Sequence, residues 1–314
     1  MKPPVAVVNP RAANGATGRH WPKLAQLLGR AVGHFTPVFT ARQGDGTTLA
    51  RAAIEGGAEL VISVGGDGTH NEVLNGLFGP DPQARVPANP AARLAVVPAG
   101  TGGDLRRSLG LPPQVRDTIA ALTQGRRCVD VGRLHYTSHD GSAQSRLFLN
   151  VSSCGVSGKV VEVVNRSGKW LGGRLSFALG SIRALAAYQD QTLELRLDEE
   201  PARTLCVTAV AVANGQYFGG GMRVAPAASL DDGLFDVTIW KGFTLADFVL
   251  KAPRLYDGTH LSLPGAESHR ARRVEARSDE VVWLDLDGEQ PGRLPAVWEV
   301  LPRALWLQGT AGPV

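Results

Sequence analysis

Along the first 125 positions, short apolar runs alternate with longer amphipathic stretches. Val5-Ala6-Val7-Val8, Val61-Ile62-Ser63-Val64 and Leu94-Ala95-Val96-Val97 each have the length of a buried strand and run into a Gly- or Pro-containing turn. Helical periodicity follows at 21–28 and at 69–78, where Val73, Leu74, Leu77 and Phe78 share one stripe, and at 116–125. Residues 33–45 fit a further strand with Val38-Phe39-Thr40 as its body, and 79–92 is a loop. Strands alternating with helices predict a parallel α/β sheet. From Cys128 the pattern changes to short alternating segments at 128–135, 146–151, 192–197, 204–213, 234–240 and 281–286, which predict an antiparallel sandwich or barrel. Helices are expected at 158–165, 174–188 and 244–255. The two patterns divide the chain into residues 1–127 and 128–291, with the tail 292–314 expected to pack back on the first domain.

Composition narrows the class. The chain has 314 residues, 43% apolar and 20% charged, enough for two domains with a core each. Its net charge of +4 comes with basic groups at Arg106-Arg107, Arg126-Arg127 and 269–273. No aromatic residues interleave with them, which speaks against nucleic acid and for an anionic membrane surface. Cys128, Cys154 and Cys206 lack metal-ligand spacing and read as buried thiols in a reducing compartment. No signal peptide is visible at MKPPVAVVNP, and no apolar run reaches the ~18 residues of a membrane span. A cytoplasmic location follows as an expectation.

The turns carry the candidate chemistry. VISVGGDGTHNEVLNGL at 61–77 places Gly65, Gly66, Asp67, Gly68 and Thr69 between a strand end and a helix start. Exposed N–H groups there suit a phosphate, and glycine lets it approach. Thr69 and Glu72 have the spacing of a capping box. LAVVPAGTGGDLRRSLGL at 94–111 repeats the arrangement with Gly100, Thr101 and Gly102, and Thr101 and Asp104 repeat the capping spacing. Arg106 and Arg107 read either as a solvated helix face or as phosphate contacts. The opening strand ends in Asn9-Pro10, but no Lys follows its glycines, so it is not a P-loop. Glycine turns without a ligand share these patterns. In the second half, 214–221 fits a glycine-rich hairpin and 229–234 a structural Asp-Gly turn. Residues 281–290 alternate, with Val281, Trp283, Asp285 and Asp287 on one face, before Asp287-Gly288 turns and presents Glu289.

Six motifs occur in order: N-P…G (Asn9, Pro10, Gly15), GGDGT-x-NE-x-x-NG (65–76), P-x-GTG-x-D (98–104), NG-x-Y-x-GGG-x-x-x-AP (214–226), DDGL-x-D (231–236) and DGE (287–289). Together the set resembles the diacylglycerol kinase catalytic family, more narrowly its soluble bacterial lipid kinases, relatives of sphingosine and ceramide kinases. The resemblance implies an α/β nucleotide-binding domain, a β-sandwich-like acceptor domain, and an active site in the cleft between them. It implies Mg²⁺- and ATP-dependent phosphorylation of a lipid hydroxyl, diacylglycerol-like, by a peripheral enzyme at a membrane surface, with a homodimer among its possible states. Carried over, the ATP contacts are Asn9, Pro10, Thr40, Gly65, Gly66, Asp67, Gly68, Thr69, Asn71, Gly100, Thr101 and Gly102. The Mg²⁺ ligands are Asp232 with the carbonyls of Ser229 and Leu234; Glu289 is the expected proton acceptor, with Asp67 the alternative catalytic carboxylate.

Two departures from the family pattern stand out. Gly103 replaces the Asn that commonly follows GTG, and Ser157 stands near the place of an Asp associated with the polar head of sphingoid acceptors. The second departure argues against an amine-bearing acceptor. An NAD kinase-like enzyme shares GGDGT and the two-domain plan, and a catalytically weak nucleotide- or lipid-binding protein would fit the departures. The ordered AP…DDGL…DGE series favours the lipid kinase.

Overall fold

The computed structural model describes residues 2–158 and 188–309. The helices expected at 158–165 and 174–188 lie essentially outside the described residues. The chain forms two compact units, Met1–Val131 with Leu301–Val314, and Gly132–Val300. The first therefore ends four residues beyond the expected boundary, and residues 292–300 of the expected tail belong to the second.

The first unit is the expected parallel α/β layer. Its elements run β1 (Val5–Val8), α1 (Ala16–Val32), β2 (Thr36–Phe39), α2 (Asp45–Glu55), β3 (Leu60–Gly65), α3 (Asp67–Leu77), β4 (Arg93–Pro98), α4 (Asp104–Ser108) and α5 (Val115–Ala121). The sheet order is β2-β1-β3-β4, all parallel. Trp306, Leu307 and Gln308 extend it parallel to β4. Ala6, Val8, Ile62, Val64, Ala95 and Val97 bury one face of the sheet under Leu28 of α1 and Ile119 of α5. The apolar runs are continuous because both faces of a parallel sheet are covered.

Helix α2 was not apparent in the sequence, and its start explains a second miss. Helix α3 begins at Asp67 behind an extended Gly66 with no side-chain cap, so Thr69 lies inside the helix. Glu72 instead accepts N–H groups of Gly44 (2.8 Å) and Gly46 (2.9 Å) at the start of α2. The capping boxes expected at Thr69/Glu72 and Thr101/Asp104 do not form; α4 starts only at Asp104 behind a left-handed Gly103. Glu72 is one turn too far along α3 to reach its own N-terminus, and the unsatisfied donors of α2 take it. Gly76 completes this junction: a Cβ there would stand 2.4 Å from the Thr47 carbonyl oxygen.

In the second unit, β7 (Val151–Gly155), β10 (Ala209–Ala213), β13 (Phe235–Trp240), β14 (Ala266–Ala271) and β16 (Leu284–Leu286) form an antiparallel sheet in the order β14-β13-β10-β7-β16. A second sheet joins β8 (Gln191–Leu197), β9 (Arg203–Val207), β15 (Arg273–Arg277) and the first half of β17 (Gly292–Gln308), again antiparallel. Strands β5 (Arg126–Ser138) and β6 (Ala143–Phe148) pair from Gly132 onward. The inner faces meet over Phe148, Phe235, Leu195, Val212, Leu284 and Trp298, which makes the expected sandwich. Its other elements are the hairpin β11 (Tyr217–Phe218) and β12 (Met222–Arg223), and α6 (Leu245–Asp257), which buries Leu255 against Ala209, Ala211 and Ala213.

The segments expected at 146–151 and 204–213 each divide into two strands. At Thr208 the chain leaves one sheet for the other, and its hydroxyl bonds Asp190 at 2.7 Å across the corner. Both sides of such a corner are apolar, so periodicity cannot show it. The basic group at 269–273 lies along β14 and β15, where three of its four charges are paired: His269 with Glu267, Arg270 with Asp232, and Arg273 with Glu275 and Glu299, while Arg272 is exposed. Cys206 is exposed, against the expectation of three buried thiols.

Replacing Glu72 with Ala leaves two N–H groups of α2 without their acceptor. Stability is expected to fall by about 1–3 kcal/mol. Urea denaturation checks this, together with faster amide exchange at Gly44 and Gly46 than in the unaltered protein.

Candidate active site

The parallel strands of the first unit end at one edge, where ligands bind in folds of this kind. Asn9 follows β1, Thr40 follows β2, Gly66 follows β3 and Ala99 follows β4. At this edge the GGDGT and GTGG turns touch through bare backbone. A Cβ on Gly100 would lie 2.4 Å from the Gly66 Cα, and one on Gly65 would lie 2.6 Å from the Thr69 hydroxyl. These two glycines are needed for packing. Gly66 differs: a Cβ there meets only the Gly100 Cα, at 3.5 Å, and otherwise points into open space.

That space is a recess of about 170 Å³, walled by Gly65, Gly66, Asp67, Gly100, Thr101 and Gly102, with Gly103, Arg106 and Arg107 beside them. Six of the expected nucleotide contacts are thus brought together. Asn9 and Thr69 do not line that space; the Asn9 amide donates to the Thr69 hydroxyl at 3.0 Å. Pro10, Thr40, Gly68 and Asn71 do not line the recess. Asn71 is buried on α3, where its carbonyl oxygens accept from Asn75.

Asp67 ties the turns together. Its Oδ2 accepts the N–H of Gly103 at 3.1 Å and of Asp104 at 3.3 Å. Burial in the wall raises its pKa above the usual carboxylate value, while those N–H groups and Arg107 oppose the rise. Arg107 in turn holds the Asp104 carboxylate at 2.9 Å and the Gly102 carbonyl at 3.1 Å. His70, not singled out from the sequence, is buried behind the turn with Nδ1 2.7 Å from the Ser63 hydroxyl. Burial pushes its pKa down to about 3, so it is neutral at physiological pH.

In the second unit, Asp287-Gly288 makes a tight hairpin with φ of 49° and 87°, both in the left-handed region. Leu286 and Glu289 exchange backbone hydrogen bonds of 2.8 and 3.0 Å across it. The turn presents Glu289, whose carboxylate meets the Arg146 guanidinium at 2.7 Å. Arg146 carried no motif and was not legible in advance. Asp285, which the alternation places on one face with Asp287, is buried. Its Oδ1 accepts the Gly288 N–H at 2.9 Å and its Oδ2 lies 3.4 Å from the Ser153 hydroxyl, which donates to Ser157 at 2.8 Å. Burial pushes the Asp285 pKa up to about 8; Asp287 and Glu289 push the same way, and the Gly288 and Ser153 hydrogen bonds oppose them.

The 229–234 turn is closed by its own side chains. Ser229 donates to Asp231 at 2.9 Å, and the Leu234 N–H donates to Asp232 at 3.1 Å. Arg270 binds the Asp232 carboxylate, and its Nε lies 3.8 Å from Asp236 Oδ2. That Asp236 oxygen is buried without a hydrogen bond. Among the described residues no group of three or more His, Cys, Asp or Glu side chains could hold a metal. Asp232 and the orphaned oxygen of Asp236 are donors a hard cation takes, but Arg270 already occupies the Asp232 carboxylate and would have to yield to a metal.

With this geometry in place, similarity to known proteins decides the family. Residues 3–134 match the diacylglycerol kinase catalytic domain, and residues 150–309 match the YegS C-terminal NAD kinase beta sandwich-like domain. The chain belongs to the YegS-like branch of the diacylglycerol kinase family. It is 32% identical over 280 residues to a probable YegS-like lipid kinase of Chromohalobacter salexigens, covering 85% of this chain and 82% of that one. It is 28% identical to a diacylglycerol kinase of Bacillus subtilis, covering 94% and 92%. A crystal structure described as a putative diacylglycerol kinase from Bacillus anthracis shares the fold at a TM-score of 0.76 and 24% identity, covering 98% and 96%. An NAD kinase from Archaeoglobus fulgidus in complex with ATP shares it more distantly, at 0.53 and 13%, covering 98% and 94%. Membership makes this lipid kinase a nucleotide-using phosphotransferase with an alcohol acceptor. Among the described residues no helix is long and apolar enough to cross a membrane.

Two outcomes follow from this geometry. Gly66→Val fills the recess and is expected to abolish ATP binding in a folded protein, read by calorimetric titration with circular dichroism as the fold control. Asp285 gives a pH signature. Its folded pKa of about 8 exceeds the ordinary 3.8, so its stabilising contribution is complete below about pH 4 and is lost as pH rises to about 8. Asp285→Asn carries no titrating proton. The difference in melting temperature between variant and wild type is expected to move in the variant's favour from pH 4 to 8 and then level off.

Proposed function

We propose that this enzyme transfers the γ-phosphoryl group of ATP, with Mg²⁺, to the hydroxyl of a diacylglycerol-like lipid at a membrane surface. The observation that carries the proposal is the recess where the two glycine turns meet, with backbone and Arg side chains around a space that a Cβ on Gly66 would fill. ATP supplies the transferred group, and Mg²⁺ supplies charge neutralisation for a reaction that asks mainly for positioning.

The chain's own residues divide the work. Gly65, Gly66, Gly100, Thr101 and Gly102 hold the polyphosphate, with Asn9 fixing Thr69 behind them. Asp67 keeps the turns in register through Oδ2, which leaves Oδ1 for a metal or its water. Asp232, with the carbonyls of Ser229 and Leu234, would hold a second Mg²⁺ that orders its loop. Glu289 accepts the proton of the acceptor hydroxyl, and Arg146 fixes the carboxylate's direction. Ser157, bonded to Ser153, offers no carboxylate to an amine head, which supports a neutral lipid over a sphingoid base. The relatives named as diacylglycerol kinases support the same choice.

The test is incubation with γ-labelled ATP and a lipid panel in mixed micelles, with and without Mg²⁺. Label in diacylglycerol is expected; label in added NAD with none in any lipid would overturn the acceptor assignment. Glu289→Gln is expected to cut turnover by about 10²–10⁴-fold with ATP affinity near normal. Asp67→Asn is expected to weaken ATP binding as well. Full turnover in Glu289→Gln, with loss in Asp67→Asn while ATP still binds, would reverse the two roles.

A further inference from the structure

Arg106 stands apart from the other cations of the recess. Arg107, the next residue, is committed to the Asp104 carboxylate and the Gly102 carbonyl. Arg106 makes one hydrogen bond, from Nη1 to the Leu111 carbonyl at 3.1 Å, and no carboxylate pairs with it among the described residues. It is half-buried and lines the recess. A guanidinium has five N–H donors, and those of Arg106 not held by Leu111 are open to solvent or a ligand.

Its side chain runs alongside Gly103. That residue has φ +72°, and a Cβ there would stand 3.4 Å from Arg106 Nε. The bare backbone at 103 borders the Arg106 side chain at contact distance, and the Leu111 carbonyl anchors one nitrogen. Nε and Nη2 keep their donors free. Asp67, the recess's own carboxylate, has its Oδ2 taken by the N–H groups of Gly103 and Asp104. The arrangement is a fixed, unpaired fork beside glycine backbone, with a geometry that matches two phosphate oxygens.

We propose that Arg106, seated by Gly103, is the protein's own polyphosphate-binding cation in this recess. The inference rests on the nucleotide-binding reading and adds to it a residue that discriminates by phosphate charge. Arg106 contacts the polyphosphate and leaves the nucleoside alone. Gly103 is then a seat for a cation rather than a lost contact.

Isothermal titration of the full chain with ATP, ADP, AMP and tripolyphosphate, in Mg²⁺ buffer and again in EDTA, tests this. Arg106→Met is expected to weaken ATP and tripolyphosphate binding by about ten- to a hundred-fold while AMP binding changes little. Arg106→Lys is expected to recover part of the loss. Gly103→Asn, which tolerates the positive φ, is expected to weaken ATP by displacing Arg106, with little further effect once Arg106→Met is present. A role confined to closing α4 through Leu111 would lower the melting temperature of Arg106→Met and leave ATP affinity at the wild-type value; that result overturns the proposal. Equal losses for AMP and ATP overturn it too. Wild-type protein that binds neither nucleotide nor tripolyphosphate in either buffer would instead remove the nucleotide reading itself.

Discussion

The backbone contact between Gly66 and Gly100 is the constraint on which the first unit's site depends. Two strand-to-helix turns on adjacent strands come close enough that a Cβ on Gly100 would fall 2.4 Å from the Gly66 Cα. No side chain fits there, so two stretches of N–H-rich backbone can face one space. What holds the turns at this distance is polar. Asp67 reaches from the first turn to the N–H groups of the second, and Asn9 reaches Thr69 from the end of β1. Thr17 on α1 donates to the Ala99 carbonyl at 2.9 Å and ties that helix to the same edge. The motif residues are therefore mostly joinery, and the recess is what the joinery leaves open.

The same division runs through the rest of the GGDGT-x-NE-x-x-NG motif. Glu72 and Gly76 serve the junction of α3 with α2, the first as an acceptor for two α2 N–H groups and the second by its missing side chain. His70 is buried against Ser63 of β3. A motif read as one ligand loop is thus a short phosphate-facing turn followed by a helix fitted tightly into its surroundings. Substitutions along it should separate into those that change binding and those that change stability, with Gly66 and Glu72 at the two extremes.

Much of this was legible in the sequence. The parallel strands of the first unit, the stripe from Val73 to Phe78 and the change to a sandwich after the first 130 residues follow from periodicity, because burial on one or both faces leaves a pattern. What was not legible has particular causes. The helix from Asp45 to Glu55 opens without a local cap, since its acceptor sits 26 residues away on α3. Strands β14 and β15 are rich in Arg, His and Glu, and their charges are matched across strands, which no one-dimensional pattern records. Alternation gives Asp285 a face but not its burial, which Ser153 and the Gly288 N–H make possible. Capping boxes failed at both turns because a glycine already started each helix, α3 in extended backbone and α4 in left-handed backbone.

Charge pairing orders the functional residues in a way the motifs alone do not. Glu289 has Arg146, Asp232 has Arg270 and Asp104 has Arg107, so three motif carboxylates already carry a guanidinium. A carboxylate held this way has a fixed direction, and a proton or a metal must compete with an internal cation for it. In the proposed reaction, Arg146 and Arg270 would therefore set when these carboxylates can act. Asp67 is different, since backbone N–H groups rather than an Arg occupy its inner oxygen. Arg106 is the converse case, a cation on the recess with no carboxylate of its own among the described residues. Positive charge that the fold leaves uncompensated next to exposed glycine backbone favours a polyanion, which is the physical basis of the polyphosphate site proposed for the first unit.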